Sequence, residues 1–172
     1  MYPEMVRIAR GQEADFSDFR FGRDDITSRI RAFQFTNQRG ITRSMLAWWA
    51  YHDPSQELWD NDTVLQVERI YARKRNDIQP LKDKANLEAL GNKALLEKRV
   101  NIRAADYRLC DKKKYYEGFV DSNGKRRDGT RDEELLEIVH ESPDFTEADI
   151  AARTDEIIKS FVNFMGTTGL IE

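Results

Sequence analysis

The chain has 172 residues, 40% hydrophobic and 34% charged, with a formal net charge of −3. That length and composition suit one domain with a real core and exclude a chain disordered by composition. No run of ~18 apolar residues offers a membrane span, the N-terminus has no apolar signal segment, and the single cysteine, Cys110, cannot form an internal disulfide, so a cytoplasmic protein is expected.

Residues 1–22 show no clear period, although Asp15, Phe16, Phe19 and Phe21 suggest a segment that docks by its aromatics. From Asp24 or Asp25, the spacing of Ile26, Ile30 and Phe33 predicts a helix after an acidic cap. Thr42 opens a second helix with Met45, Leu46, Trp48, Trp49 and Ala50 on a broad apolar surface, stopped by Asp53-Pro54. The alternation and Val, Ile and Tyr content of "TVLQVERIYA" predict a strand over 64–71. A polar loop with Pro80 follows, then the short apolar "LEALGNKALLE", in which Gly91-Asn92 marks a turn or bulge. A helix is expected from near Ile102 to Glu117, ended by Gly118. Asn123-Gly124 could close a hairpin, though its flanks are weak. "RDEELLEIVHES" reads as a short acidic helix. Thr146 with Asp149 caps a last helix, striped by Ile150, Ile157, Ile158, Phe161, Val162 and Met165 and ended by Gly166 and Gly169.

The net charge hides an asymmetry. Residues 69–114 hold fourteen Lys and Arg against six Asp and Glu, a net of +8, between flanks of −3 and −8. Such a segment suits a phosphate backbone, and equally a solvated face paired with the acidic C-terminal part. Within it lie two short strands and a helix. A strand–turn–strand–helix unit that cuts DNA needs a base to deprotonate water and a metal to stabilise charge on phosphate. Magnesium takes oxygen ligands and keeps several waters, so one acid and one amide can suffice. Glu68 is such an acid, Asn92 a turn amide and Asn101 a helix-start amide, with Lys112 and Lys113 further along. Taken singly, Gly91-Asn92 is an ordinary turn, Asn101 a cap and the lysine run a solvated face; their order lifts the joint reading.

"LEALGNKALLEKRVN" followed by "YRLCDKKKYY" resembles the C-terminal nuclease domain of the GmrSD-type modification-dependent restriction endonucleases, a branch of the His-Asn-His, or ββα-metal, nucleases. Gly91-Asn92, Leu95-Leu96, Asn101 and Lys112 match the family pattern in order, with Leu109 at its usual aromatic position. "SRIRAFQFTNQRGITRSMLAWWAYHD" resembles the family's helical lead-in and "FTEADIAARTDEIIKSF" its closing segment, so the likeness spans residues 25–165.

The resemblance implies a mainly helical α+β fold in one domain, 1–172. A helical lead-in (1–62) would precede a ββα-metal core (63–118) and a C-terminal helical part (119–172). It implies Glu68 and Asn101 as metal ligands for Mg2+ or Mn2+, Asn92 as a loop-bracing residue, and Lys112 as a phosphate contact or support of the site. Arg73, Lys74, Arg75, Arg103 and Lys113 are the expected DNA contacts. The family's general-base histidine is Arg69 here, and arginine stays protonated, so it cannot take a proton from water and would oppose a metal beside it. His52 and His140, the two histidines, fall outside the motif. The expected activity is DNA hydrolysis in a phage-defence restriction system, impaired at position 69. Modified double-stranded DNA and a separate N-terminal nucleotide-hydrolysing sensor are the expected partners, since no phosphate-cradling Gly-rich motif is present. A non-catalytic DNA-binding module and a helical protein-interaction subunit are the alternatives.

Overall fold

The structure is a computed structural model that describes residues 2–15, 21–168 and 171. The chain divides into two compact units, residues 1–33 with 155–172 and residues 34–154. Among the described residues it is mainly helical, with eight α-helices and two two-stranded antiparallel sheets. In chain order these are α1 (Tyr2–Ala9), α2 (Arg23–Ala32), α3 (Gly40–Ala50), β1 (Leu65–Arg69), α4 (Arg73–Ile78), β2 (Lys93–Glu97), α5 (Lys98–Ala104), α6 (Leu109–Glu117), β3 (Phe119–Val120), β4 (Arg126–Arg127), α7 (Glu133–Glu141) and α8 (Glu147–Thr167). No described helix is long and apolar enough to cross a membrane.

In the larger unit, β1 pairs antiparallel with β2 in a register that sets Glu68 opposite Ala94 and Arg69 opposite Lys93. α5 follows β2 directly, so strand, connection, strand and helix run in the expected order. Beneath lies a core that includes Ile70, Tyr71, Leu96, Val100, Leu109, Tyr116, Leu135, Val139, Phe145 and Ile150. β2 is buried over Lys93–Leu96, which explains its continuous apolar run rather than an alternation. The N-terminal turns of α8 belong to this unit, started by Asp149, which accepts from Thr146 N at 2.7 Å and Thr146 Oγ1 at 2.6 Å.

In the smaller unit, Ile158, Val162 and Ile171 pack with Ile26, Ile30 and Met165. Arg23 Nη1 donates to Asn163 Oδ1 at 3.1 Å, and Arg31 pairs with Asp155.

Four expectations change. α1 forms within the stretch expected to lack a period, and its Met5 and Ile8 are 58% and 57% exposed. α4 occupies the expected polar loop. Only Arg75 is buried in it, so it has no apolar period, and Asn76 Oδ1 closes its end by accepting from Leu81 N at 2.9 Å. The single helix expected over 102–117 is two, α5 and α6, because the chain turns at Ala105 with φ 46. α8 runs through Gly166 to Thr167. Phe16, Phe19 and Gly169, to which docking and helix-ending roles were assigned, lie outside the described residues, while Phe21 is exposed and bridges Ile171.

Candidate functional site

β1 carries Glu68 into the protein. Its carboxylate accepts from Lys112 Nζ and, at 3.5 Å, from Tyr116 Oη, both on α6. Lys112 is fully buried and also donates to Arg69 O at 2.7 Å. Burial pushes the Glu68 carboxyl above its usual range, outweighing the opposite pull of Lys112. That burial encloses the Lys112 ammonium between Glu68 and Arg69 O, away from solvent.

Arg69 points to a different partner, the Glu88 carboxylate. Glu88 is shared, because Lys93 Nζ donates to it at 2.8 Å and to Asn37 Oδ1 at 2.7 Å. Burial raises the Glu88 carboxyl, but Lys93 and Arg69 together outweigh that and hold it below its usual range. Burial also pushes the Lys93 ammonium down to about 8, with Glu88 resisting. Arg69 and Lys93, opposite each other on the β1–β2 pair, are therefore two cations that share one acid.

Asn92 is fully buried and fastens the connection between the strands. Its Oδ1 accepts from Tyr71 N at 2.7 Å, and its Nδ2 donates to Tyr71 O at 3.2 Å and Leu87 O at 3.1 Å. An amide is suited to this because it offers donor and acceptor at one end. The adjacent Gly91 is required by packing: a Cβ there would overlap Ile150 O and Thr154 Oγ1 in α8 and lie 2.5 Å from Thr154 N. Arg153 closes the same turn, donating to Gly91 O at 2.9 Å and Lys93 O at 2.7 Å while pairing with Glu134 at 2.6 Å.

One pocket of about 240 Å3 gathers Glu68, Arg69 and Asn101 with Asn37, Val67, Arg73, Ala105 and Asp106. Asn101 Nδ2 donates to Gln66 Oε1 at 3.0 Å. Asn37 and Asp106 were missed by sequence reasoning, since neither lies on the strand–helix motif; Asp106 comes in through the turn at Ala105. His52 stacks on Trp48, with ring centroids 5.1 Å apart, and His140 lies 3.0 Å from Glu117. Neither lines this pocket.

A divalent cation at this donor set would have to displace Lys112 from Glu68. Glu68 is held by Lys112, Arg69 and Arg73 line the same pocket, and no group of three or more His, Cys, Asp or Glu among the described residues could hold a metal. The expected ligand pair, Glu68 and Asn101, shares this pocket, with the Glu68 carboxylate paired to the Lys112 ammonium.

The expected DNA contacts divide. Arg73 is exposed at the pocket, and Lys74 is exposed with Asp106 at 3.7 Å. Arg75 is 7% exposed, holds both Asp144 oxygens at 2.5 and 2.6 Å and lies 4.3 Å over the Tyr71 ring. It is a structural clamp, which corrects its assignment to DNA. Arg103 donates to Asp128 O at 2.5 Å, and Lys113 is 3.7 Å from Glu117.

Searches against protein-family models, curated proteins and solved structures return no match, and no nuclease fold is identified by comparison.

Proposed function

We propose that this chain is a DNA endonuclease domain of the ββα-metal kind, from a modification-dependent restriction system, with hydrolysis impaired at Arg69. One observation carries the reading: Glu68, Arg69 and Asn101 line a single pocket, beside a connection pinned by the buried Asn92. The resemblance ties the same residues to acid, base position, metal amide and loop brace.

The chemistry of the side chains explains the impairment. A guanidinium holds its proton at any working pH and cannot accept one from water. Arg73, exposed at the pocket, suits a phosphate oxygen, so the pocket as written favours holding a phosphodiester over cleaving it. Arg69→His removes the cation that opposes a metal and supplies a group that can take a proton near neutral pH. Plasmid DNA, unmodified and glucosylated, incubated with magnesium or manganese should be nicked by the R69H protein and left intact by the parent. A folded R69H protein that cuts neither DNA with either metal overturns the reading.

A second reading, a DNA-binding module without catalysis, is favoured by the Glu68–Lys112 pair, which withholds the only acid of the motif. It requires DNA binding that is indifferent to metal and to R69H.

A further inference from the structure

A second concavity of the 34–154 unit lies on the other side of α5 from the Glu68 pocket. Asn101 and Ala105 line that pocket, whereas Lys98, Arg99 and Arg103 line a groove of about 800 Å3. Its facing wall is the β3–β4 hairpin, with Lys125, Arg126 and Arg127, and beyond it Arg131. Seven cationic side chains thus line the groove against four carboxylates, Asp60, Asp62, Glu97 and Asp128.

Internal pairing accounts for part of this charge. Arg127 lies 2.8 Å from Asp121, and Arg131 lies 3.1 Å from Asp60. Glu97 is turned to its own neighbours, accepting from Thr130 Oγ1 at 2.7 Å and Arg131 N at 2.8 Å. Lys98, Arg99, Lys125 and Arg126 have no anionic partner among the described residues and are exposed. Arg103 Nε is shielded from solvent yet has no hydrogen-bond partner among the described residues. The hairpin turn that presents Lys125 and Arg126 is fixed: Asp121 Oδ1 accepts from Asn123 N and Lys125 N, both at 3.0 Å, and Gly124 takes φ 75.

The geometry points to this groove as a site for the phosphodiester backbone of a nucleic-acid duplex, gripped between α5 and the β3–β4 hairpin. Five of the seven cations are arginine, whose planar fork matches phosphate oxygens. The apolar side chains along it are Val64 and Val100, so it lacks the aromatic and aliphatic anchors that carry a protein–protein interface. Backbone contacts need no such anchor. The proposal deepens the reading above and rests on it only for the strand's continuation past α5 to the Glu68 pocket.

The test measures binding of short fluorescein-labelled DNA and RNA duplexes to the full chain by anisotropy, over a salt series, in EDTA. A K98A/R99A/K125A/R126A protein should bind more weakly, and the slope of log affinity against log salt should fall by about 2–4. K159A, outside the groove, should match the parent. Unchanged affinity and slope in the quadruple variant overturn the groove. So does loss of polyglutamate binding with duplex binding intact, which would mark an acidic protein partner. An R73A protein and the R69H cleavage assay separate the two ideas. Binding lost in R73A alone discards the groove and keeps the pocket. Binding lost in the quadruple variant, with no cleavage by R69H, keeps the groove and discards the nuclease.

Discussion

Glu68 and Lys112 lie 44 residues apart in sequence and form a buried ion pair. Such a pair breaks even at best against an apolar pair, but losing one partner leaves the other uncompensated. Lys112→Met should therefore lower stability by about 3 kcal/mol in urea unfolding near neutral pH, and E68Q/K112M should recover most of that loss. A single K112M change without effect would show that Glu68 is already neutral there. The sequence set Glu68 near the end of an expected strand and the resemblance singled it out, but the lysine run looked like a solvated face. The missed signal was helical: Leu109, Lys112 and Tyr116 are all buried and recur at spacings of three and four, so the middle lysine of that stripe had to point inward. The partner of Arg69 was illegible, because Glu88 is met only through the fold of the connection between the strands.

The elements around the site are held by caps and close approaches. Asp132 starts α7 by accepting from Leu135 N at 2.8 Å, and burial raises its carboxyl from 3.8 to about 7. A carboxyl raised on folding contributes stability that is complete below its unfolded value and lost as pH rises through the folded one. D132N keeps a capping oxygen without the charge. Its melting temperature should match the parent's near about pH 4 and exceed it near about pH 8; equal values at both would show that the carboxyl is not desolvated. At the other end of the motif, Gly91→Ala forces a methyl into the α8 backbone and should cost ~2 kcal/mol or more, read as a lower urea midpoint. An unchanged midpoint would mean that α8 yields. The Gly-Asn pair was legible as a turn; its need for glycine was not, because α8 is more than fifty residues downstream. The break at Ala105 was equally hidden, since no glycine or proline marks the turn between α5 and α6.

Over the whole molecule, charge is the property that local reading could weigh best. The protein has a sequence pI of about 5.6 and yet a +8 central segment. At about pH 8 and low salt it should bind both an anion exchanger and heparin, with heparin elution moving to lower salt in the K98A/R99A/K125A/R126A protein. No retention on heparin would show that the acidic flanks neutralise the basic segment. The order strand, connection, strand, helix, the acid at the end of the first strand, the amide of the turn and the excess of positive charge were determined by the sequence itself, because each follows from local periodicity, turn chemistry or a count of charges. Which charge meets which was decided only by the tertiary structure. Burial makes Lys112 a partner of Glu68, Arg75 a clamp on Asp144 and Arg69 a competitor for Glu88, while Lys98, Arg99, Lys125 and Arg126 face a groove without an anionic partner among the described residues. Pairing of long charged side chains depends on distances between elements remote in sequence, and no local pattern encodes them.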